Sequence, residues 1–202
     1  MKVIFFAVLV FFFSCNPKRI DTKRFAQEMK QRVPKKVSEG QILEEALLKG
    51  KQSVSIIDKE LISNVLTKEN GYKWCNINAL FTKDSLTAVY NFEINRFQLA
   101  DTLEIKGKER DILLAYDYSV SNKIAHEENL QRLDNETILY NQAILLDKNE
   151  CIKCHGKPLD QIVLKAETSK MNPNLFNRKK GDLLGMWSIK FPQSQLIVKM
   201  KF

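Results

Sequence analysis

Histidine is nearly absent from this chain: 202 residues contain 2, His126 and His155. A metal centre built from several imidazoles is therefore excluded. Glycine and proline are sparse as well, at 7 and 5, which rules out a collagen-like repeat or a low-complexity linker. No apolar run approaches the roughly 20 residues of a transmembrane helix; the longest is Val3 to Phe13. Basic residues outnumber acidic ones, 32 against 24, but they form no block that could track a phosphate backbone. Nucleic acid is thus not an expected partner, and anionic headgroups or an acidic redox protein suit the charge better. The 4 cysteines are too few for a disulfide framework once individual roles are assigned to them.

What is present begins at the N-terminus. Met1-Lys2 and the apolar run to Phe13 have the length of a secretory core of about 7–15 residues. The run stops at Ser14-Cys15, and Phe12-Phe13-Ser14-Cys15 resembles the lipobox of bacterial lipoproteins, though with phenylalanine where leucine is usual. That resemblance implies cleavage before Cys15 and acylation of it, anchoring the chain to a membrane without a spanning helix. Residues 1–14 then read as a lipoprotein signal, 15–36 as a tether with a short helix, and 37–202 as one domain. An ordinary signal peptide or an uncleaved anchor is the alternative. Loss of residues 1–14 removes one lysine and no acid, so the net charge falls from +8 to +7.

The chemistry is concentrated in Cys151-Ile152-Lys153-Cys154-His155. Two thiols three positions apart can add to the two vinyl groups of one haem, and the adjacent histidine can serve as an axial iron ligand. A thioredoxin-like redox pair needs no such histidine, and the flanks do not read as a βαβ unit. A zinc site wants four ligands and would have to gather the scattered Cys75 or His126. Haem c, one per chain, is the favoured cofactor. Covalent haem attachment takes place outside the cytoplasm, so the signal and the motif agree on a lipid-anchored protein of the bacterial cell envelope.

Periodicity supplies the rest. Ile42, Leu43, Ala46, Leu47, Val54, Ile57, Leu61 and Val65 recur at helical spacing, predicting about 25 residues of amphipathic helix with Gly50 as a break point. A shorter stripe covers Phe25 to Val33. Leu86 to Leu103 fits either period and its length favours helix. Strands are expected over Tyr72–Ile77, Ile112–Val120 and Glu136–Asp147, then as a hairpin of Leu183–Phe191 and Leu196–Phe202. Ser121 to Asn135 reads as a loop or short exposed helix, and Leu159 to Thr168 as a helix.

The C-terminal third resembles a known family. Cys151, Cys154, His155 and Gly156, followed by Gly181, Asp182, Gly185, Ser188 and Pro192, match the pattern of bacterial exported haem-c-binding, PAS-like domains, the Tll-type haem domains. Met186 stands where alanine is usual. These domains occur alone and as sensor modules of membrane histidine kinases. The resemblance implies an α+β fold: a PAS-like antiparallel sheet of about five strands with N-terminal helices, its concave side holding one haem. It also implies a cysteine on the long helix near the iron's second axial position, and here Ile57 stands in its apparent place. Cys75, His126, Met171 and Met186 are the substitutes, each with a plainer structural role available. Trp187 and Tyr140 are expected as pocket wall or core.

Two functions follow from this. One is a module that senses redox state or a small gas (CO, NO or O2) and reports to a partner. The other is a membrane-tethered electron carrier. No acid–base set supports an enzyme. The mature chain should begin at an acylated Cys15: intact-mass spectrometry of membrane-extracted protein is expected to show the acyl mass and no residues 1–14.

Overall fold

The computed structural model describes residues 22–24, 37–67, 80–158 and 173–199. The chain divides into residues 1–36 and a compact unit from Val37 to Phe202, and the elements below belong to the second. Cys15, Cys75, Met171, the Phe25–Val33 stripe, the Tyr72–Ile77 strand and the Leu159–Thr168 helix lie outside the described residues.

Helix α1, Glu39–Thr67, is the amphipathic stripe of the sequence. Ser38 caps it: its Oγ accepts from Gln41 N–H at 3.3 Å, and Gln41 Oε1 accepts from Ser38 N–H at 2.9 Å. The two bonds meet donors that a helix start leaves open. Its buried face, Ile42, Ala46, Val54, Ile57 and Leu61, packs on the sheet residues Ile138, Tyr140, Trp187, Ile189 and Phe191. The helix runs through Gly50 unbroken because that glycine serves packing. A Cβ there would lie 2.6 Å from the Tyr140 ring.

Helix α2, Phe81–Tyr90, is capped from a distance. The Glu60 carboxylate on α1 accepts from Phe81 and Thr82 N–H at 3.1 and 2.9 Å. Burial alone would raise the Glu60 pKa; the hydrogen bonds from Thr82 and Phe81 outweigh it and bring the value below the ordinary one. Asn91, left-handed at φ 53°, ends α2, and β1, Glu93–Gln98, follows. The Leu86–Leu103 segment is therefore helix, turn and strand rather than one helix. Its double periodicity reflects two elements sharing a short stretch.

Helix α3, Lys108–Ser121, occupies the segment expected as a strand. Its aromatic and β-branched content favoured a strand, but Glu109, Ile112, Leu113 and Tyr116 recur every three or four residues and are the buried ones. Strand β2, Asn129–Arg132, emerges inside the expected loop and pairs with β3, Thr137–Leu145. Helix α4, Asn149–His155, carries the cysteine motif. Strand β4, Leu183–Pro192, precedes α5, Gln193–Lys199. The expected C-terminal hairpin does not form there, since β4 lies between β1 and β3 and both its edges are taken. The chain turns into a helix that buries Leu196 instead.

The result is α+β, with an antiparallel sheet in the order β1-β4-β3-β2. Four strands stand among the described residues where about five were expected. Helices cover both faces: α1 and α5 on one, α3 on the other over Leu139, Leu183 and Met186. No helix among the described residues is long and apolar enough to cross a membrane.

Gly50→Ala tests the α1–Tyr140 contact. Overpacking costs about 1–3 kcal/mol, against a helix-propensity gain of up to about 1 kcal/mol. A net loss of about 1–2 kcal/mol in urea unfolding is expected. Gly40→Ala, with nothing within 4 Å of its added carbon, should be neutral or stabilising.

Candidate functional site

The β3–β4 connection holds the site. At its base Leu146 N–H donates to Asp182 O and Gly181 N–H to Leu146 O, both at 2.9 Å. Gly181 sits at φ 94°, a conformation that only glycine adopts freely. Asp182 Oδ2 accepts from Lys179 N–H at 2.8 Å and fixes the turn. The Gly-Asp pair of the sequence thus closes the loop that carries α4.

Within that loop α4 starts at Lys148, whose ammonium pairs with Asp58 of α1 at 2.8 Å. One turn of helix brings Cys151, Cys154 and His155 together, both cysteines half-buried thiols rather than half-cystines. Gly156 N–H donates to Ile152 O at 2.9 Å and ends the turn. A Cβ on Gly156 would come within 2.7 Å of that same oxygen.

His155 is held by a short 3-10 turn at Pro173–Leu175 and the residues that follow it. Its Nδ1 lies 2.8 Å from Leu175 O. A carbonyl only accepts, so Nδ1 carries the proton and Nε2 is left with its lone pair. The His155 carbonyl accepts from Arg178 N–H at 2.8 Å, and Phe176 stacks on the ring with centroids 5.7 Å apart. Burial lowers the imidazole pKa, the Leu175 bond acts against it, and the nearby Arg96 charge lowers it further. The net effect is a neutral ring, the form that ligates metals.

Cys151 borders a cleft between α1 and the sheet. Asp58, Leu61 and Ile62 form one wall, Gln142 to Leu145, Leu184 and Trp187 the other, with Arg96, Asp147 and Lys148 at the margin. The guanidinium of Arg96 lies 5.8 Å from the centroid of the Trp187 ring. The cleft encloses about 170 Å³ and shares Asp58, Ile62, Gln142 and Lys148 with a hollow of about 450 Å³ running along α1.

The other singled-out residues fall elsewhere. Ile57 is fully buried against the sheet, and the α1 residues at the cleft are Asp58, Leu61 and Ile62. Met186 is buried in the core on the α3 side. His126 lies against Tyr116, ring centroids 6.1 Å apart, in a cavity under α3 that shares no lining residue with the cleft. Tyr140 is core, and its hydroxyl donates to Gln142 Oε1 at 2.8 Å. Sequence reasoning missed the Leu175–Arg178 clamp and the Arg96–Trp187 pair. Neither has a local motif, since each depends on contacts made by the folded sheet.

The arrangement offers two thiols and one imidazole nitrogen on a single helical turn. Among the described residues no three His, Cys, Asp or Glu side chains converge as a metal-ion cluster.

Residues 25–192 match the family described as Tll0287-like. Among solved structures, the cyanobacterial heme-protein Tll0287 aligns at 18% identity and a TM-score of 0.45, covering 74% of this chain and 96% of its own. No curated protein matches.

A pH profile tests the His155 clamp. The folded-state pKa is depressed, so the unfolded chain binds more protons below the ordinary value of about 6.5. The neutral ring's contribution is fully present above that value and lost as the pH falls towards the folded pKa. Urea unfolding of cofactor-free chain should weaken from about pH 7 to pH 5, and His155→Asn should flatten that slope.

Proposed function

The chain belongs to the Tll0287-like family, and from that premise and the site geometry we propose that it is a c-type monohaem module. Cys151 and Cys154 would form the thioether links and His155 Nε2 would ligate the iron. The observation that carries this reading is the Nδ1 contact of His155 with Leu175 O at 2.8 Å. It fixes the tautomer and orients the ring before any iron arrives. The fit rests on the donor set, half-buried thiols three residues apart and a neutral imidazole, beside a cleft at Cys151 whose polar and apolar walls include Asp58, Gln142, Leu61, Ile62 and Trp187. At about 170 Å³ the cleft is below the 300–1,000 Å³ of common cofactor sites, so a macrocycle would also need the adjoining hollow of about 450 Å³.

Haem supplies, when bound, an iron that shuttles between two oxidation states and can take a diatomic ligand. The chain's own part is to exclude water with Leu61, Ile62 and Trp187 and to hold the imidazole still. Cys151 is the only Cys, His or Met among the described residues lining the cleft. Lys148 is engaged by Asp58. These observations favour an iron with an open or weakly held second axial position, and hence a redox- or gas-sensing module over an electron carrier. We read the sheet as a PAS-like domain and residues 1–36 as an export signal and tether. Acylated Cys15 would then hold the module on a membrane outside the cytoplasm, where it would meet a redox or signalling partner.

Protein matured in an export-competent host should keep one haem through acid–acetone extraction, and Cys151→Ala with Cys154→Ala should lose it. Stoichiometric zinc without haem would refute the reading. The reduced protein should be largely high-spin and bind carbon monoxide at micromolar levels or below. A low-spin spectrum unmoved by carbon monoxide would instead make electron transfer the function, with a ligand such as Cys75, His126 or Met171.

A further inference from the structure

The hollow along α1 differs in charge from the cleft it adjoins. Among the described residues the cleft is balanced, with Arg96 and Lys148 against Asp58 and Asp147. The hollow has Lys51, Lys59 and Lys148 against Asp58 and Glu128, one cation in excess. Lys148 pairs with Asp58 at 2.8 Å and Lys51 with Glu128 at 3.1 Å. The exposed Lys59 ammonium has neither an ion pair nor a hydrogen bond among the described residues. A second donor opens into the same space. Gln142 lines both the cleft and the hollow, and its Oε1 accepts from the Tyr140 hydroxyl at 2.8 Å. Burial raises that phenol's pKa, so it keeps its proton. The amide oxygen is thereby engaged, and the Nε2 hydrogens are left for an acceptor.

Position relative to the thiols gives the hollow its meaning. Cys151 borders the cleft and does not border the hollow. On α1 the cleft takes Asp58, Leu61 and Ile62, while the hollow continues from Ile62 back to Lys51. Eleven residues of helix give it a length of about 16 Å. Haem carries its two vinyl groups on one edge and its two propionates on the opposite edge. A macrocycle tied to Cys151 and Cys154 by the vinyl edge, and too large for the cleft alone, would extend its propionate edge into the hollow.

A carboxylate that leaves bulk water needs a cation or hydrogen-bond donors in exchange. The hollow has both: an ammonium without a counter-ion and an amide with its donor side open. We propose, resting on the haem reading above, that one haem propionate occupies this hollow, held by the Lys59 ammonium and the Gln142 amide. A cation beside the propionate offsets its negative charge at the iron and favours the ferrous state. Arg96 is the rival partner, at the margin of the cleft and over the Trp187 ring.

The test uses the full chain matured in an export-competent host and reads the propionate bending band by resonance Raman spectroscopy. Lys59→Met and Gln142→Leu should each keep one acid-stable haem and shift that band. Lys59→Met should also lower the reduction potential, and Lys59→Arg should restore both readings. Lys49→Met, on the same helix but outside the hollow and paired with Glu45 at 2.6 Å, should move neither. Covalent haem with an unmoved band in both Lys59→Met and Gln142→Leu would overturn the propionate site and leave the haem reading intact. A band that moves only in Arg96→Met would put the propionate at the cleft margin and overturn the site equally. Wild-type chain without covalent haem would remove the haem reading itself, and this inference with it.

Discussion

The pairing of β3 with β4 is the constraint on which the rest depends. It runs from Thr137 opposite Pro192 to Leu145 opposite Leu183, and its last bonds close around Leu146, Gly181 and Asp182. The described residues between, α4 and the segment that clamps His155, belong to a connection with both ends fixed. The hydrophobic effect holds that ladder from two sides, since Tyr140, Ile189 and Phe191 pack under α1 while Leu139 and Met186 pack under α3. A site on such a rigid pair keeps its geometry better than one on a free loop.

The neutral imidazole follows from this arrangement. A histidine on the last residue of a short helix would ordinarily turn to water. Here Leu175 O takes its Nδ1 proton, Phe176 covers one face and Arg178 holds its carbonyl. Nearby positive charge at Arg96 discourages a second proton. Position, tautomer and charge state are all set by groups twenty or more residues away in the chain.

The distance in sequence explains what the amino-acid order revealed and what it hid. The long helix was legible because its stripe from Ile42 to Val65 repeats over more than six turns of one pattern, and the motif because its chemistry lies within five consecutive residues. The strand β3 was legible for the same local reason. The helix α3 was misread from its composition, where spacing carried the better signal. The C-terminal strand expected after β4 depended on which edges of the sheet were free, which only the strand order decides. Ile57 was placed at the cofactor by analogy of position, yet its helical phase turns it fully into the core and leaves Leu61 and Ile62 at the cleft.

Strand order has a further consequence, in time rather than space. Strand β4 is made last among the described strands, and β1 has no other partner there to pair with before it. A growing chain can pair β2 with β3 early, but the sheet closes only after Pro192 has been synthesised, and such non-local pairing is slow. Folding then draws the finished loop shut, so the order of assembly is written into the topology.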